Sequence, residues 1–386
     1  MAELLKDMYS KAFFNKLTNI FSVTVPSFNA QLFMERIYDG EWENRALKQR
    51  MKHIAITLKH FLPVEYGKAI SIIKDSIQYM RRQGIRENGI EYMFFPEFIE
   101  MFGIHDYKTS VMAIEYVTQF TSCEYAVRPF IIQHQDKMMK QMLVWSKHTS
   151  HLVRRLASEG CRPRLPWAVA LPALKQDPSA ILPILENLKD DESEFVRRSV
   201  ANNLNDIAKD HPKVVMQTAE KWKGYSDNTD WVIRHGCRTL LKKAHGETLS
   251  FFGLADTQDQ VSVTVPVLEK DIIAIGDDLR FAFKLKVRHQ QPVKLRIEYG
   301  IDYMKANGKP NRKIFKLAEN VYPPGKGVAF RRYQSFKDLT TRRHYAGKHR
   351  ICIIINGQEK ALTEFNVVQP MVRKTTEYTA PLSTAV

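Results

Sequence analysis

Up to about residue 95 the apolar residues recur at helical spacing: Ile54, Leu58 and Leu62 fall at i, i+4 steps, and Pro63 ends that run. Glycine and proline are sparse here. From about 102 to 254 the pattern stays helical and is cut by turn signals at Asp177-Pro178, Asp190-Asp191, His211-Pro212 and Ser226-Asp227-Asn228. That punctuation predicts helices in pairs. After Gly253 the period changes from helical to alternating.

The alternating part contains VSVTVPV, LRFAFKLKV, VKLRIEY, KIFKLAE, VAFRRY, HRICIII and TEFNVV, separated by GDD, NGKPN, PPGKG and NGQ turns. About seven short strands in roughly 110 residues predict an all-β sandwich of the immunoglobulin-like kind. The expected organisation is a helical N-terminal region over 1–100 continuous with a helical-repeat solenoid over 101–254. A basic sandwich over 255–368 and a loose tail over 369–386 follow.

Three helical segments share one pattern: HLVRRLASEGC from His151, EFVRRSVANNL from Glu194 and DWVIRHGCRTL from Asp230. With Val153, Val196 and Val232 in register, Ala157, Val200 and Gly236 fall four residues on. Cys161, Leu204 and Leu240 fall eight on, completing a buried stripe. The small or β-branched middle residue lets a neighbouring helix approach closely. Intervals of 43 and then 36 residues fit HEAT-type repeats of about 40 residues.

The chain has 386 residues, 44% of them hydrophobic and 11% aromatic, enough for a sizeable core and two or three domains. No stretch approaches the roughly 20 apolar residues of a bilayer span, and the N-terminus lacks the layout of a secretory signal. The expected address is therefore cytoplasmic. Cys123, Cys161, Cys237 and Cys352 are scattered, with no CxxC pair, and suggest buried thiols rather than a zinc site or disulfides. The net charge of +16 suggests a polyanionic partner, or else only a solubilising surface. Over 255–368 there are 21 Lys/Arg against 12 Asp/Glu, so the last third carries +9.

In the repeat register Arg155, Arg198 and Arg234 sit two after the valine, roughly opposite the buried stripe, where stacking would align them. A fourth unit, EYAVRPF, puts Arg128 in that slot, although its spacing is short and Pro129 spoils the match. Such a ladder either clamps phosphates or pairs with acids on adjacent repeats. Four residues beyond each arginine stand Glu159, Asn202 and Arg238, with Asp206 a further turn on. Glu159 either pairs with Arg155 or does chemistry, and Glu124, four before Arg128, is a second acid within reach of it. After Glu159 comes GCRPRLPWA, whose prolines force a connector carrying Arg162, Arg164 and Trp167. Trp167 either stacks on a nucleic-acid component or caps the apolar layer, whereas Trp145 and Trp231 are weaker candidates.

These residues, carried by FTSCEYAVRPF, HLVRRLASEGCRPRLPWA and DDESEFVRRSVANNLNDIAKDHP, resemble the AlkC-type alkylpurine DNA glycosylases, relatives of the AlkD-type HEAT-repeat enzymes. The second segment is the specific one, and the appended sandwich fits AlkC rather than AlkD. The resemblance covers the whole chain except its tail. It implies hydrolysis of the N-glycosidic bond of cationic N-alkylated bases in double-stranded DNA, 3-methyladenine first and 3-methylcytosine as a further candidate. A base that is already cationic leaves without a general acid, so the protein must stabilise an oxocarbenium-like sugar and position water.

On that resemblance Glu159 and Glu124 form the catalytic pair, with Asp206 as a third acid, and Trp167 touches the lesion. Arg155, Arg162, Arg164 and Arg198 clamp the backbone. The family recognises its lesion within the base stack. The resemblance also implies DNA contact by sandwich loops carrying Lys305, Lys309, Arg312, Lys313, Arg342, Arg343 and Lys348, in agreement with their charge. No metal or redox cofactor and no membrane is implied. The expected form is a monomer, associated with the nucleoid through DNA binding. The competing reading is a non-catalytic HEAT-repeat scaffold or nucleic-acid-binding protein.

Overall fold

The computed structural model describes residues 5–85, 89–254, 256–257, 260–325, 327–339 and 342–370. The tail expected from 369 lies, from 371 on, outside the described residues. The chain divides into two compact units, Met1–Thr239 and Leu240–Val386.

The helical unit opens with α1 (Lys11–Thr24), α2 (Ala30–Ile37), α3 (Leu47–Lys59), α4 (Tyr66–Arg82), α5 (Phe94–Phe102) and α6 (Tyr107–Thr118). Ser10, Asn29 and Asp106 start α1, α2 and α6 by accepting the backbone N–H three residues on. Phenylalanines 14, 21, 33, 94, 95 and 98 fill the core between these helices. Then come α7 (Val127–Gln133), α8 (Gln135–Trp145), α9 (His151–Gly160), α10 (Pro172–Gln176), α11 (Leu182–Leu188), α12 (Glu194–Ile207), α13 (Pro212–Trp222) and α14 (Asp227–Gly236). Of the four turn signals read from the sequence, Asp177-Pro178 and Asp190-Asp191 fall between helices of this series, while His211-Pro212 and Ser226-Asp227-Asn228 mark the starts of α13 and α14. The unit boundary falls within α15 (Arg238–Lys242), and α16 (Gly246–Phe251) follows.

The three matched segments are α9, α12 and α14, and α12 packs between the other two. Val153, Val196 and Val232, then Ala157, Val200 and Gly236, then Cys161, Leu204 and Leu240 are all buried, as the register requires. A methyl on Gly236 would come 2.9 Å from Leu204 Cβ, and one on Gly160 would come 2.7 Å from Val127 Cγ1 and 3.1 Å from Met142 Cε. Close helix approach is therefore built on the missing side chains. Arg154, one residue before the expected rung, makes the bond between repeats, with Nε and Nη2 on Asp191 at 2.6 and 3.0 Å. Arg197, its counterpart on α12, donates to the carbonyls of Asp191 and Glu192.

In the second unit, β1 (Val261–Val263), β2 (Val267–Leu268), β3 (Ile272–Ala274), β4 (Asp278–Val287), β5 (Val293–Met304), β6 (Pro310–Tyr322), β7 (Gly327–Ser335), β8 (Gly347–Ile355) and β9 (Gln358–Val368) form two sheets. In one, β4 is flanked by β1 and β2 on one side and by β7 on the other; the second runs β3-β9-β8-β5-β6. Leu279, Phe281, Phe283 and Leu285 alternate inward from β4 to meet Ile297, Ile301, Ile351, Ile353 and Ile355, the core of an immunoglobulin-like sandwich. Two differences from the sequence reading have local causes. VSVTVPV splits into β1 and β2 around Pro266, which has no N–H to give a ladder. β3, too short to show alternation, pairs in parallel with β9.

Candidate active site

Three carboxylates and two guanidiniums alternate in one chain on the helical unit. Glu124 lies in the turn leading into α7, where Ser122 Oγ donates to its Oε2 at 3.0 Å. Arg155, on α9, places Nη1 2.6 Å from Glu124 Oε2 and Nη2 3.6 Å from Glu159 Oε1. Arg162, just past the end of α9, places Nη1 2.7 Å from Glu159 Oε1 and Nε 2.9 Å from Asp206 Oδ2 on the last turn of α12. Lys209 ends the chain 2.8 Å from Asp206. The three acids named from sequence thus lie along one line, joined by two of the named arginines.

Burial differs along that line. Glu124 and Arg155 are half-buried, whereas Glu159, Arg162 and Asp206 are buried. Burial works to lower the pKa of Arg162, but the adjoining carboxylates of Glu159 and Asp206 override it and raise it. Charges this close in a desolvated place hold one another in fixed geometry. Phe195 on α12 supports Arg155 from below, its ring 4.3 Å from the guanidinium carbon. Ser122, Phe195 and Lys209 were missed from sequence, though Phe195 and Trp231 occupy the same slot, one before the register valine.

The connector 161–171 is held from two sides. Arg128, fully buried on α7, donates Nε to the Val169 carbonyl at 2.6 Å and Nη1 to the carbonyls of Gly160 and Arg162 at 3.0 and 2.8 Å. Burial pushes its pKa down to about 10. The expectation that Arg128 is a DNA-facing rung is corrected here: the side chain is an internal strut under the connector. Lys48, reaching from α3, donates to the Trp167 carbonyl at 3.0 Å and lies over the Tyr125 ring at 4.6 Å. Trp167 takes a left-handed backbone (φ 64°), costly for a non-glycine residue, and its side chain is 68% exposed. Of the two expectations for it, capping the apolar layer does not fit that exposure. Trp145 is buried and donates to Glu115.

The remaining arginines differ in availability. Arg164 is held by Asp210 with three contacts of 2.6–3.1 Å. Arg198 is 63% exposed and meets Glu194 one turn away. Arg234 is half-buried, and Arg238 donates to Asn202 Oδ1 at 2.9 Å. His235 stacks flat against Trp231 at 5.1 Å, and burial together with Arg238 and Arg198 pushes its pKa down to about 4, so it is neutral at physiological pH. In the sandwich, Lys309 and Arg343 are exposed, Arg312 is tied to Asp302 and Glu359, and Arg342 is half-buried with its guanidinium 5.7 Å from the Tyr303 ring. Among the described residues no group of three or more metal-ligating side chains exists, and no helix is long and apolar enough to cross a membrane.

Residues 110–240 match the model of a family described as DNA alkylation repair enzyme, and 262–369 match the C-terminal Ig-like domain of the uncharacterised protein YhaZ. The chain is 41% identical over 363 residues to uncharacterized protein YhaZ of Bacillus subtilis, covering 94% of this chain and 99% of that one. The Pseudomonas fluorescens alkylpurine DNA glycosylase AlkC, solved bound to DNA containing an abasic site analogue, superposes with a TM-score of 0.89 at 31% identity. The match covers 95% of this chain and 100% of that one. The chain belongs to the AlkC family. An AlkC-type chain is a helical-repeat region followed by an Ig-like sandwich, the order found here. It is thus a member of a DNA alkylation repair enzyme family, and its charge chain lies within the segment that carries the repair-family match.

Proposed function

We propose that this chain is a DNA glycosylase that removes cationic alkylated bases from duplex DNA, 3-methyladenine first and 3-methylcytosine second. The observation that carries the reading is Glu159, buried between Arg155 and Arg162 and next to the exposed Trp167 connector. The bond to break joins C1′ of the deoxyribose to a positively charged base. Its electron pair leaves with the base, which becomes neutral, and the positive charge moves to the sugar. A carboxylate held in fixed position by its neighbouring guanidiniums stabilises that charge without reorganising. Water then adds to C1′ and gives its proton to a carboxylate. Glu159 is the first candidate for these tasks, Glu124 the second and Asp206 the third. Trp167 contacts the lesion, and Arg198 with the sandwich cations holds the backbone. One chain supplies every member of this set, so a monomer suffices, and it acts where DNA lies, at the nucleoid.

A non-catalytic reading takes the same residues as a structural ion-pair network, and the complete pairing of the acids favours it to that extent. Release of base from methylated duplex DNA decides between them. Glu159→Gln keeps the hydrogen bond to Arg162 and removes the charge; the expected result is a loss of about 10²–10³-fold in release rate with DNA affinity retained. A wild-type protein that releases no base, or a fully active variant, refutes the assignment.

A further inference from the structure

The cations on the two outer faces of the sandwich are in different states. On the five-stranded sheet Arg312 and Arg350 share Asp302, Lys348 lies 2.6 Å from Glu364, and Lys294 and Lys360 are held by the carbonyls of Phe252 and Thr257. On the four-stranded sheet, β4 alternates Phe281, Phe283 and Leu285 inward, which turns Arg280, Lys284 and Lys286 outward. The register with β7 places Tyr333 opposite Arg280, Arg331 opposite Ala282, Ala329 opposite Lys284 and Gly327 opposite Lys286. On the other side of β4, Ser262 lies opposite Lys286 and Val267 opposite Ala282. The cross-strand neighbours of the two lysines are thus small and uncharged. Arg280 reaches Glu269 at 4.0 Å; among the described residues no ion pair holds Lys284, Lys286 or Arg331.

An open cavity of about 440 Å³ lies at one end of this face, lined by Val267, Ala282 and Tyr333 together with Arg280, Arg331 and one acid, Glu269. Tyr333 is 62% exposed and Val267 69%. Outward cations two residues apart on β4 are about 6.8 Å apart, a spacing that an extended backbone with one phosphate per nucleotide can follow. A paired duplex hides its bases, so an exposed ring beside Val267 and Ala282 has its match in an unstacked base.

We infer that the outer face of the four-stranded sheet is a track for single-stranded DNA, with phosphates on Lys284, Lys286 and Arg331 and a base against Tyr333. The track uses none of the residues of the charge chain and stands whether or not the chain releases alkylated bases.

The test uses the full chain and dye-labelled oligothymidylate, followed by anisotropy across a salt series. Reversing all three cations (Lys284→Glu, Lys286→Glu, Arg331→Glu) is expected to weaken binding about tenfold or more. It should also flatten the log–log salt slope by about 2, at ~0.7 for each lost contact. Tyr333→Ala weakens binding about fivefold or more, and Tyr333→Phe restores it, because the stack needs the ring and not the hydroxyl. Lys316→Glu, on the other sheet and already 3.2 Å from Glu319, is the control and should stay within about twofold. All of these side chains are at the surface, and unchanged melting temperatures confirm folding; if reversal disturbs it, the three glutamine replacements are read by the same criteria. The inference is overturned if the wild-type chain does not bind the oligomer, or if the triple variant binds it as wild type does. It is also overturned if the control does equal damage, or if blunt duplex binding falls as much as single-strand binding.

Discussion

In the helical unit Arg155 and Arg162 are each shared by two carboxylates and half-buried or buried, whereas on the four-stranded sheet Lys284, Lys286 and Arg331 stand in solvent beside small neutral residues. The first arrangement is nearly neutral and stiff: desolvation has been offset inside the protein, and the charges stay where the fold puts them. The second is hydrated and open to any anion that arrives. A composition of +16 counts both alike. Burial and cross-strand register separate basic residues that build a site from those left to hold a partner.

Three changes sharpen that contrast, beginning with the largest. Arg162→Ala leaves Glu159 and Asp206 buried without their shared guanidinium, and the expected cost is about 3–5 kcal/mol, read from denaturant or thermal unfolding. Arg162→Lys should recover only part, because an ammonium cannot present the same planar fork to two acids. Unchanged melts for Arg162→Ala would mean that the chain is not what holds this place together.

Next is a carboxyl without such a partner. Burial, and then the charge of Glu97, push the pKa of Glu100 on α5 up to about 7, with Lys48 and Lys52 opposing. Its folded value exceeds its unfolded one, so the folded state binds the extra proton, and stability falls as pH rises from about 4.5 to about 7. Glu100→Gln removes that loss. It should stabilise by on the order of 1–3 kcal/mol above pH 7 and make little difference below about pH 4.5. A pH-independent effect of the substitution would show that Glu100 does not titrate in this window.

The smallest effect on stability is expected at Arg198, exposed and, among the described residues, paired only along its own helix with Glu194. Arg198→Ala should move stability by less than about 0.5 kcal/mol, yet lower the salt slope of duplex DNA binding by about 1 if it meets a phosphate. An unchanged slope would assign Arg198 to the surface alone.

The helical stripe was legible because three segments repeat it: Val153, Val196 and Val232 fix a register that burial follows at every position. The direction of the arginines was not. Each Arg-Arg pair offers two candidates one residue apart, and only the packed neighbours decide that Arg154 bonds across the repeat while Arg155 meets the acids. Arg128 looked like a rung because it follows a similar motif; its burial depends on the connector folding back over it, 41 residues later in the chain. The contact between Arg162 and Asp206 spans 44 residues, and no local spacing announces it. In the sandwich, alternation gave the long strands, and it also held the outer-face lysines of β4 in plain sight. What it lacked was the pairing register, which decides whether an acid lies opposite.

Gly160 sits at the end of α9, directly after Glu159, against Val127 and Met142. Val127 opens α7, three residues after Glu124. The absent side chain is therefore a spacer of zero thickness between the two segments that carry the half-buried and the buried acid. A single methyl there would act as a shim, only 2.7 Å from Val127 Cγ1, so that something must shift while every charge keeps its identity. The gap between the carboxylates is thus adjustable apart from their chemistry, and the tolerance of the site to that gap can be measured one carbon at a time.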